Sequence, residues 1–163
     1  MKEKNLKEQN RSFEHKIYGK EEESPTFDFV KQKSLHILHV DDDDASFLKT
    51  SKKVLELDNN FNVDTATSVD EAFCKLKTQH YDAIVSDYEM PQKNGLDFLK
   101  ELREQKNDIV FIIFTDNGTE EIVIRAINLG ANYYIDKSRA SETIYCELKN
   151  AIIDIVSHEK KYV

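Results

Sequence analysis

The chain has 163 residues, of which 39% are hydrophobic and 33% charged, and its formal net charge is −8. This length predicts one globular domain with an extension, and the acidic balance argues against direct binding to nucleic acid, which requires clustered Lys and Arg. No apolar run approaches the roughly 20 residues of a membrane span, and the N-terminus has no apolar signal core, so we expect a cytoplasmic protein that does not enter membranes.

Residues 1–34 differ from the rest of the chain. Basic and acidic side chains are mixed there with few aliphatic ones, no hydrophobic period is sustained, and the segment EEESP at residues 21–25 is typical of a solvated linker. Such composition predicts an extension that is disordered or loosely docked. We therefore expect the folded domain at residues 35–157, followed by a short tail at 158–163.

The first predicted element is a strand at residues 35–40, LHILHV, an apolar run that stops at four aspartates. Such a run suits a strand buried on both faces. Residues 47–55 then carry apolar side chains at helical spacing, and residues 61–67 alternate like an outer strand. Ser68 and Glu71 have the spacing of a capping box and predict the start of the next helix.

The second half of the chain repeats this alternation. The Asn94-Gly95 turn precedes one predicted helix, Gly130 is placed to end another, and Ser141 is placed to cap the last. The run IVFIIF is the most apolar of all, which predicts a central strand. The remaining strands are predicted at residues 81–86, 109–114 and 132–136.

Five strands that alternate with five helices predict an α/β fold with a parallel sheet covered on both faces. Right-handed crossovers restrict such a chain to a few doubly wound topologies. We expect the flavodoxin-like order 2-1-3-4-5, in which ligands bind beyond the carboxyl ends of the strands.

Polar side chains follow four of the predicted strands. Asp41 and Asp42 follow the first strand, Asp87 the third, Thr115 the fourth and Lys137 the fifth. The parallel arrangement would bring them to one edge of the sheet. Neither a GxGxxG nor a GxxxxGK[ST] motif occurs, which removes the basis for a dinucleotide or P-loop site.

Clustered carboxylates repel one another, so they either have raised pKa values or hold a cation. Oxygen ligands suit Mg²⁺, which we predict as the cofactor. A divalent ion, a lysine and a threonine hydroxyl are parts of a phosphoryl-transfer site. An aspartate can serve there as the nucleophile and form an aspartyl phosphate.

Four motifs stand at the ends of the predicted strands, namely HILHVDDDD, AIVSDYEMPQKNGLDFL, FIIFTD and LGANYYIDKS. Together they resemble the response-regulator receiver domain of two-component signal transduction. The resemblance covers about residues 35–157 and implies a phosphorelay protein.

The resemblance implies a role for each site residue. Asp87 matches the phospho-acceptor, Lys137 the lysine that pairs with the phosphoryl group, and Thr115 the hydroxyl that moves to bind it. Tyr134 matches the aromatic switch on the fifth strand. The implied metal ligands are Asp42 directly, Asp41 through water, Asp87, and the backbone carbonyl of Glu89.

The resemblance also implies partners. A histidine kinase or a histidine phosphotransfer protein would donate the phosphoryl group. An unknown downstream protein would bind the face formed by the fourth helix, fifth strand and fifth helix, and a homodimer is a further possibility. We expect a signalling switch with no attached output domain, capable of slow autodephosphorylation but not an enzyme.

Two departures from the family pattern keep alternatives open. Ser138 follows Lys137 where the family has proline, so we expect a trans peptide bond, and Asp116 follows Thr115 where the family prefers a small residue. One alternative is therefore a pseudo-receiver, a non-phosphorylated protein-interaction module. Another is a phosphatase of the haloacid dehalogenase type, whose D-x-D signature occurs within DDDD.

Cys74 and Cys146 share no short metal-ligand spacing and are too few for a disulfide framework. The sequence therefore predicts two reduced cysteines that serve as packing residues.

Overall fold

The computed structural model describes residues 34–42, 45–57, 60–138 and 141–159. These residues all belong to one compact unit, Lys33–Val163. Apart from Ser34, the predicted extension at 1–34 lies outside the described residues, as does most of the predicted tail at 158–163. Those two boundaries stay predictions.

The described residues form a five-stranded parallel sheet in the order β2-β1-β3-β4-β5, which confirms the predicted topology. The observed boundaries lie within two residues of the predicted ones. The strands are β1 (Leu35–Val40), β2 (Phe61–Ala66), β3 (Ala83–Ser86), β4 (Val110–Thr115) and β5 (Tyr133–Asp136).

Helices connect the strands and cover both faces of the sheet, as the βαβ alternation requires. They are α1 (Ala45–Glu56), α2 (Val69–Thr78), α3 (Gly95–Glu104), α4 (Glu120–Asn128) and α5 (Ser141–Glu159). One apolar core lies between the sheet and helices α1 and α5, where Leu55 and Leu148 are buried. A second lies under α2, α3 and α4, where Ala72, Phe98 and Ala126 are buried.

Local sequence signals set the helix ends. The Ser68 hydroxyl accepts a hydrogen bond from the Glu71 N–H at 3.2 Å and caps α2. The Glu71 carboxylate accepts from the Thr67 N–H at 2.8 Å, one residue earlier than a standard capping box would have it. Asn94 caps α3, and Gly130, with a φ of 89°, follows the end of α4 in the left-handed conformation that favours glycine.

The prediction that both cysteines are packing residues was wrong. Cys74 and Cys146 are unpaired, and both are exposed on the outer surfaces of α2 and α5. Cys74 lies two positions beyond the buried Ala72, which turns it away from the core face of α2.

Within the described ranges, no helix combines the length and the apolar character that crossing a bilayer requires.

Candidate functional site

The register of the sheet places the acidic residues side by side. The Asp87 N–H donates to the Val40 carbonyl at 2.8 Å, and the Asp41 N–H donates to the Ala66 carbonyl at 3.0 Å. These bonds extend the pairing of β1 with its two neighbours by one residue. The predicted meeting of Asp41, Asp42 and Asp87 is confirmed, because carboxylate oxygens of all three lie within 4.8 Å of one another.

The cluster is buried on one side and open on the other. Asp41 is fully buried and Asp87 is only 6% exposed, whereas Asp42 is exposed. Oxygen donors with one open side fit Mg²⁺, which takes one or two carboxylates directly and keeps several waters. The donor set is therefore compatible with the cofactor that the sequence predicts.

Lys137 joins the cluster from the end of β5. Its backbone N–H donates to the Thr115 carbonyl at 2.8 Å, which extends the β4–β5 pairing. Its ammonium lies 2.5 Å from Asp41 Oδ2 and 3.2 Å from Asp87 Oδ1. With the side chain only 9% exposed, these are ion pairs shielded from solvent.

The burial and charges of the cluster shift the pKa values of its groups. Burial, helped by the Asp41 charge, raises the pKa of the Asp87 carboxyl above its usual range, although Lys137 and a hydrogen bond from Thr115 oppose this. Burial alone would lower the pKa of the Lys137 ammonium, but the bonds and charges of Asp41 and Asp87 outweigh it and raise that pKa. Lys137 is thus held as a cation beside the predicted acceptor.

Thr115 is the last residue of β4 and is completely buried. Its hydroxyl accepts a hydrogen bond from the Asn117 N–H at 3.4 Å, and its nearness to the Asp87 carboxylate acts to lower the pKa of that group. The predicted hydroxyl therefore already lies beside the predicted acceptor.

Tyr134 directs its ring toward the loop between β4 and α4. Its hydroxyl is buried and has no hydrogen-bond partner among the described residues, whereas the neighbouring Tyr133 is 42% exposed. A Cβ atom at Gly118 would overlap that hydroxyl, so the ring occupies the space left by the missing side chain. Burial, with the charges of Asp136 and Asp87, raises the pKa of Tyr134.

Glu89 lies in the loop between β3 and α3 and is exposed. Its carboxylate accepts a hydrogen bond from Asn117 Nδ2 at 2.7 Å, which links this loop to the one between β4 and α4. The role of its backbone carbonyl as a metal ligand stays a prediction. Asp116 is also exposed, and the bond between Lys137 and Ser138 is trans, as predicted.

Two structural features of the site were not recognised in the sequence. A Cβ atom at Gly95 would overlap the backbone carbonyl oxygen of Asp87, so this glycine lets α3 begin directly against the acceptor. The Asn-Gly pair had indicated only a turn. His39 is fully buried in β1 beside Ser51, whose hydroxyl lies 3.2 Å from His39 Nδ1. Burial lowers the pKa of the His39 imidazole to about 4.

Comparisons with known proteins agree with this geometry. The family model of the response regulator receiver domain matches residues 37–149. The response regulator SaeR of Staphylococcus aureus is 33% identical over 127 residues, which are 78% of this chain and 53% of that protein. The chain thus spans about half the length of the curated relatives that it matches.

Solved structures agree as well. A response regulator receiver domain protein from Clostridium thermocellum is 28% identical, with a TM-score of 0.69 over 79% of this chain and 99% of that one. The receiver domain of the Francisella response regulator 1452 is 26% identical, with a TM-score of 0.69 over 77% and 99% of the two chains. The chain therefore belongs to the response regulator receiver domain family.

Proposed function

We propose that this protein is a phospho-accepting switch of a two-component phosphorelay, with Asp87 as the acceptor. One observation carries the proposal. The Asp87 carboxylate lies within 4.8 Å of two further carboxylates and 3.2 Å from the Lys137 ammonium. The cluster is open to solvent on the side of the exposed Asp42. The donor would be a histidine kinase or a histidine phosphotransfer protein, as family membership suggests.

Asp41, Asp42 and Asp87 would hold Mg²⁺, with the Glu89 carbonyl as a further ligand. The ion would neutralise charge on the phosphoryl oxygens as the group transfers. Family membership and the oxygen-only donor set both support this choice of cofactor.

In the proposed step, an Asp87 carboxylate oxygen attacks the phosphorus of a donor phosphohistidine. The new O–P bond forms as the P–N bond breaks, and the departing imidazole keeps the bonding electron pair. Lys137 supplies a fixed positive charge for the phosphoryl oxygens, and the Thr115 hydroxyl donates to one of them after transfer. Both groups act by position and charge, as phosphoryl transfer requires.

Phosphorylation would be read out on the face formed by α4, β5 and α5. Tyr134 belongs to β5 in this face, and its ring lies against Gly118, three residues after Thr115 in the chain. Ile124, Ile127 and Tyr133 are exposed there, by 51%, 63% and 42%. Exposed apolar groups of this kind favour binding of a downstream protein or a second copy of the chain.

We further propose that the protein is a switch and not an enzyme in the usual sense, and that it works in the cytoplasm. Its free, exposed cysteines suit a reducing compartment. The departures behind the pseudo-receiver alternative leave the site intact, since Lys137 contacts Asp87 despite Ser138 and Asp116 is exposed. Family membership also leaves the phosphatase alternative without support.

The proposal is tested by incubating the protein with Mg²⁺ and a small acyl phosphate. Intact mass spectrometry should show a gain of one phosphoryl group that is absent from Asp87→Asn. Asp108→Asn, a change at an exposed residue just before β4, is the matched control and should be modified like the wild type. A gain that persists in Asp87→Asn would refute the assignment. Candidate histidine kinases can then be compared as donors.

A further inference from the structure

Two aromatic rings flank the Lys137 ammonium on the side of the sheet covered by α1 and α5. Nζ lies 5.0 Å from the centroid of Phe47, in the first half of α1, and 5.3 Å from that of Phe114, in β4. Both distances are within the range in which a ring attracts a cation. The same nitrogen also contacts the carboxylates of Asp41 and Asp87.

The rings belong to a packed wall. Phe114 is only 1% exposed. The imidazole of His39 lies 6.4 Å from the Phe47 ring and 6.1 Å from the Phe114 ring, and Tyr145 of α5 lies 6.2 Å from Phe114. Side chains from two helices and two strands pack around these rings. Because the rings are held in this way, they stay in place when the lysine moves and provide a fixed surface for the ammonium.

The acidic partners of Lys137 change during the proposed reaction. Before transfer the ammonium is shared between Asp41 and Asp87. Afterwards Asp87 would carry the phosphoryl group, and Asp41 would take part in binding Mg²⁺. An attraction that is independent of these carboxylates would keep the ammonium at the site while its partners are exchanged.

We propose that Phe47 and Phe114 are positioning residues for Lys137, which hold its ammonium against their rings while its acidic partners change. This inference rests on the proposed function, because it assigns Phe47 and Phe114 a part in the same phosphoryl transfer. Between the upper value for exposed cation–ring contacts and the value for desolvated ones, their strength corresponds to about a fivefold to thirtyfold change in rate.

The experiment uses Phe47, because it is half-buried and tolerates substitution better than the buried Phe114. Phe47→Leu keeps an apolar side chain but removes the ring, and Phe47→Tyr restores the ring. Phe73→Leu is the matched control. Phe73 is also half-buried, and Lys93 Nζ lies 5.9 Å from the centroid of its ring, but this pair is not part of the site. Thermal unfolding verifies that each variant is folded.

The first readout is the initial rate of phosphorylation by a small acyl phosphate at saturating Mg²⁺. Phe47→Leu should be about fivefold to thirtyfold slower than wild type. The rates of Phe47→Tyr and Phe73→Leu should stay within about twofold of the wild-type rate. Phe47→Tyr keeps the attraction between ring and ammonium, and Phe73→Leu does not affect it. Equal slowing of the Leu and Tyr variants would overturn the proposal, because the ring would not be the cause.

The second readout needs no phosphorylation. Ring currents should shift the ε-methylene protons of Lys137 upfield in the NMR spectrum of the unmodified protein, with Lys137→Arg identifying the signal. The shift should be reduced in Phe47→Leu, where only the Phe114 ring remains beside the ammonium, and kept in Phe47→Tyr. An unchanged signal in Phe47→Leu would overturn the positioning role. A wild type that is never phosphorylated would instead refute the proposed function, and the NMR comparison would still decide whether Phe47 holds the ammonium.

Discussion

The hydroxyl of Tyr134 fills the space that any side chain at Gly118 would need. The glycine therefore permits the ring to lie against the β4–α4 loop, where its hydroxyl is buried. The position of this β5 ring is thus set by a residue in the loop between β4 and α4, and a substitution there can change it.

Replacing Gly118 with alanine should displace Tyr134 toward solvent. Overpacking of this kind costs about 1–3 kcal/mol, so the free energy of unfolding should fall by that amount. The raised pKa of the Tyr134 hydroxyl should also fall toward its ordinary value, since burial is the main cause of the rise. Both quantities can be measured, by urea denaturation and by NMR titration of labelled tyrosine. In the Tyr134→Leu background, Gly118→Ala should cost much less; an equal cost in both backgrounds would show that the two residues are not coupled.

Gly95→Ala should damage the acceptor site directly. A methyl group there would overlap the backbone carbonyl of Asp87, so α3 or the acceptor must shift. We expect the phosphorylation rate to fall at least about tenfold, in line with the sensitivity of reacting groups to small displacements.

Gly130→Ala is the control for that prediction. Gly130 has a φ of 89° and lies at the end of α4, so alanine should cost roughly 1–2 kcal/mol of stability without moving the acceptor. If both variants were phosphorylated at the wild-type rate, the contact between Gly95 and Asp87 would have no functional role.

Asp42→Asn should weaken Mg²⁺ binding, because Asp42 is the exposed member of the carboxylate cluster. In the wild type, Mg²⁺ at a hundred times its Kd should raise the free energy of unfolding by about 2.7 kcal/mol, provided that it binds only the folded chain. Thermal shift across a Mg²⁺ titration measures this effect. Asp108→Asn should respond like the wild type, and an Asp42→Asn response equal to both would exclude Asp42 as a ligand.

His39 should make the fold less stable in acid. Its pKa is about 4 in the folded protein, against an ordinary 6.5, so the unfolded chain binds more protons between these values. Stability from this group is full above pH 6.5 and is lost as the pH falls toward 4, by about 3 kcal/mol in total. His39→Phe should remove that part of the pH dependence in urea denaturation. Equal pH dependence in the two proteins would contradict the prediction.

The strand ends could be predicted because each mainly apolar run stops at or next to the polar residue that enters the site. Parallel strands bring those ends to one edge, and the adjacency of β1 and β3 places Asp41 beside Asp87, whereas Lys137 reaches them from β5 across β4. The strand ends and the strand order depend only on local pattern and chain topology, which a sequence records directly.

Other features depend on contacts that local pattern does not encode. The inward ring of Tyr134 depends on the missing side chain of Gly118, and the rings beside Lys137 come from α1 and β4, which meet only in the folded chain. The error on Cys74 was avoidable, since its position falls outside the buried stripe that Val69 and Ala72 mark.

The most direct test of the account is to locate the phosphoryl group in the chain. After phosphorylation with Mg²⁺ and an acyl phosphate, borohydride reduction would convert an aspartyl phosphate to homoserine, which peptide mass mapping can assign to one residue. The account predicts homoserine at position 87 alone. Homoserine at position 41 or 42 instead, or a phosphoryl group that resists reduction on a serine or threonine, would contradict it.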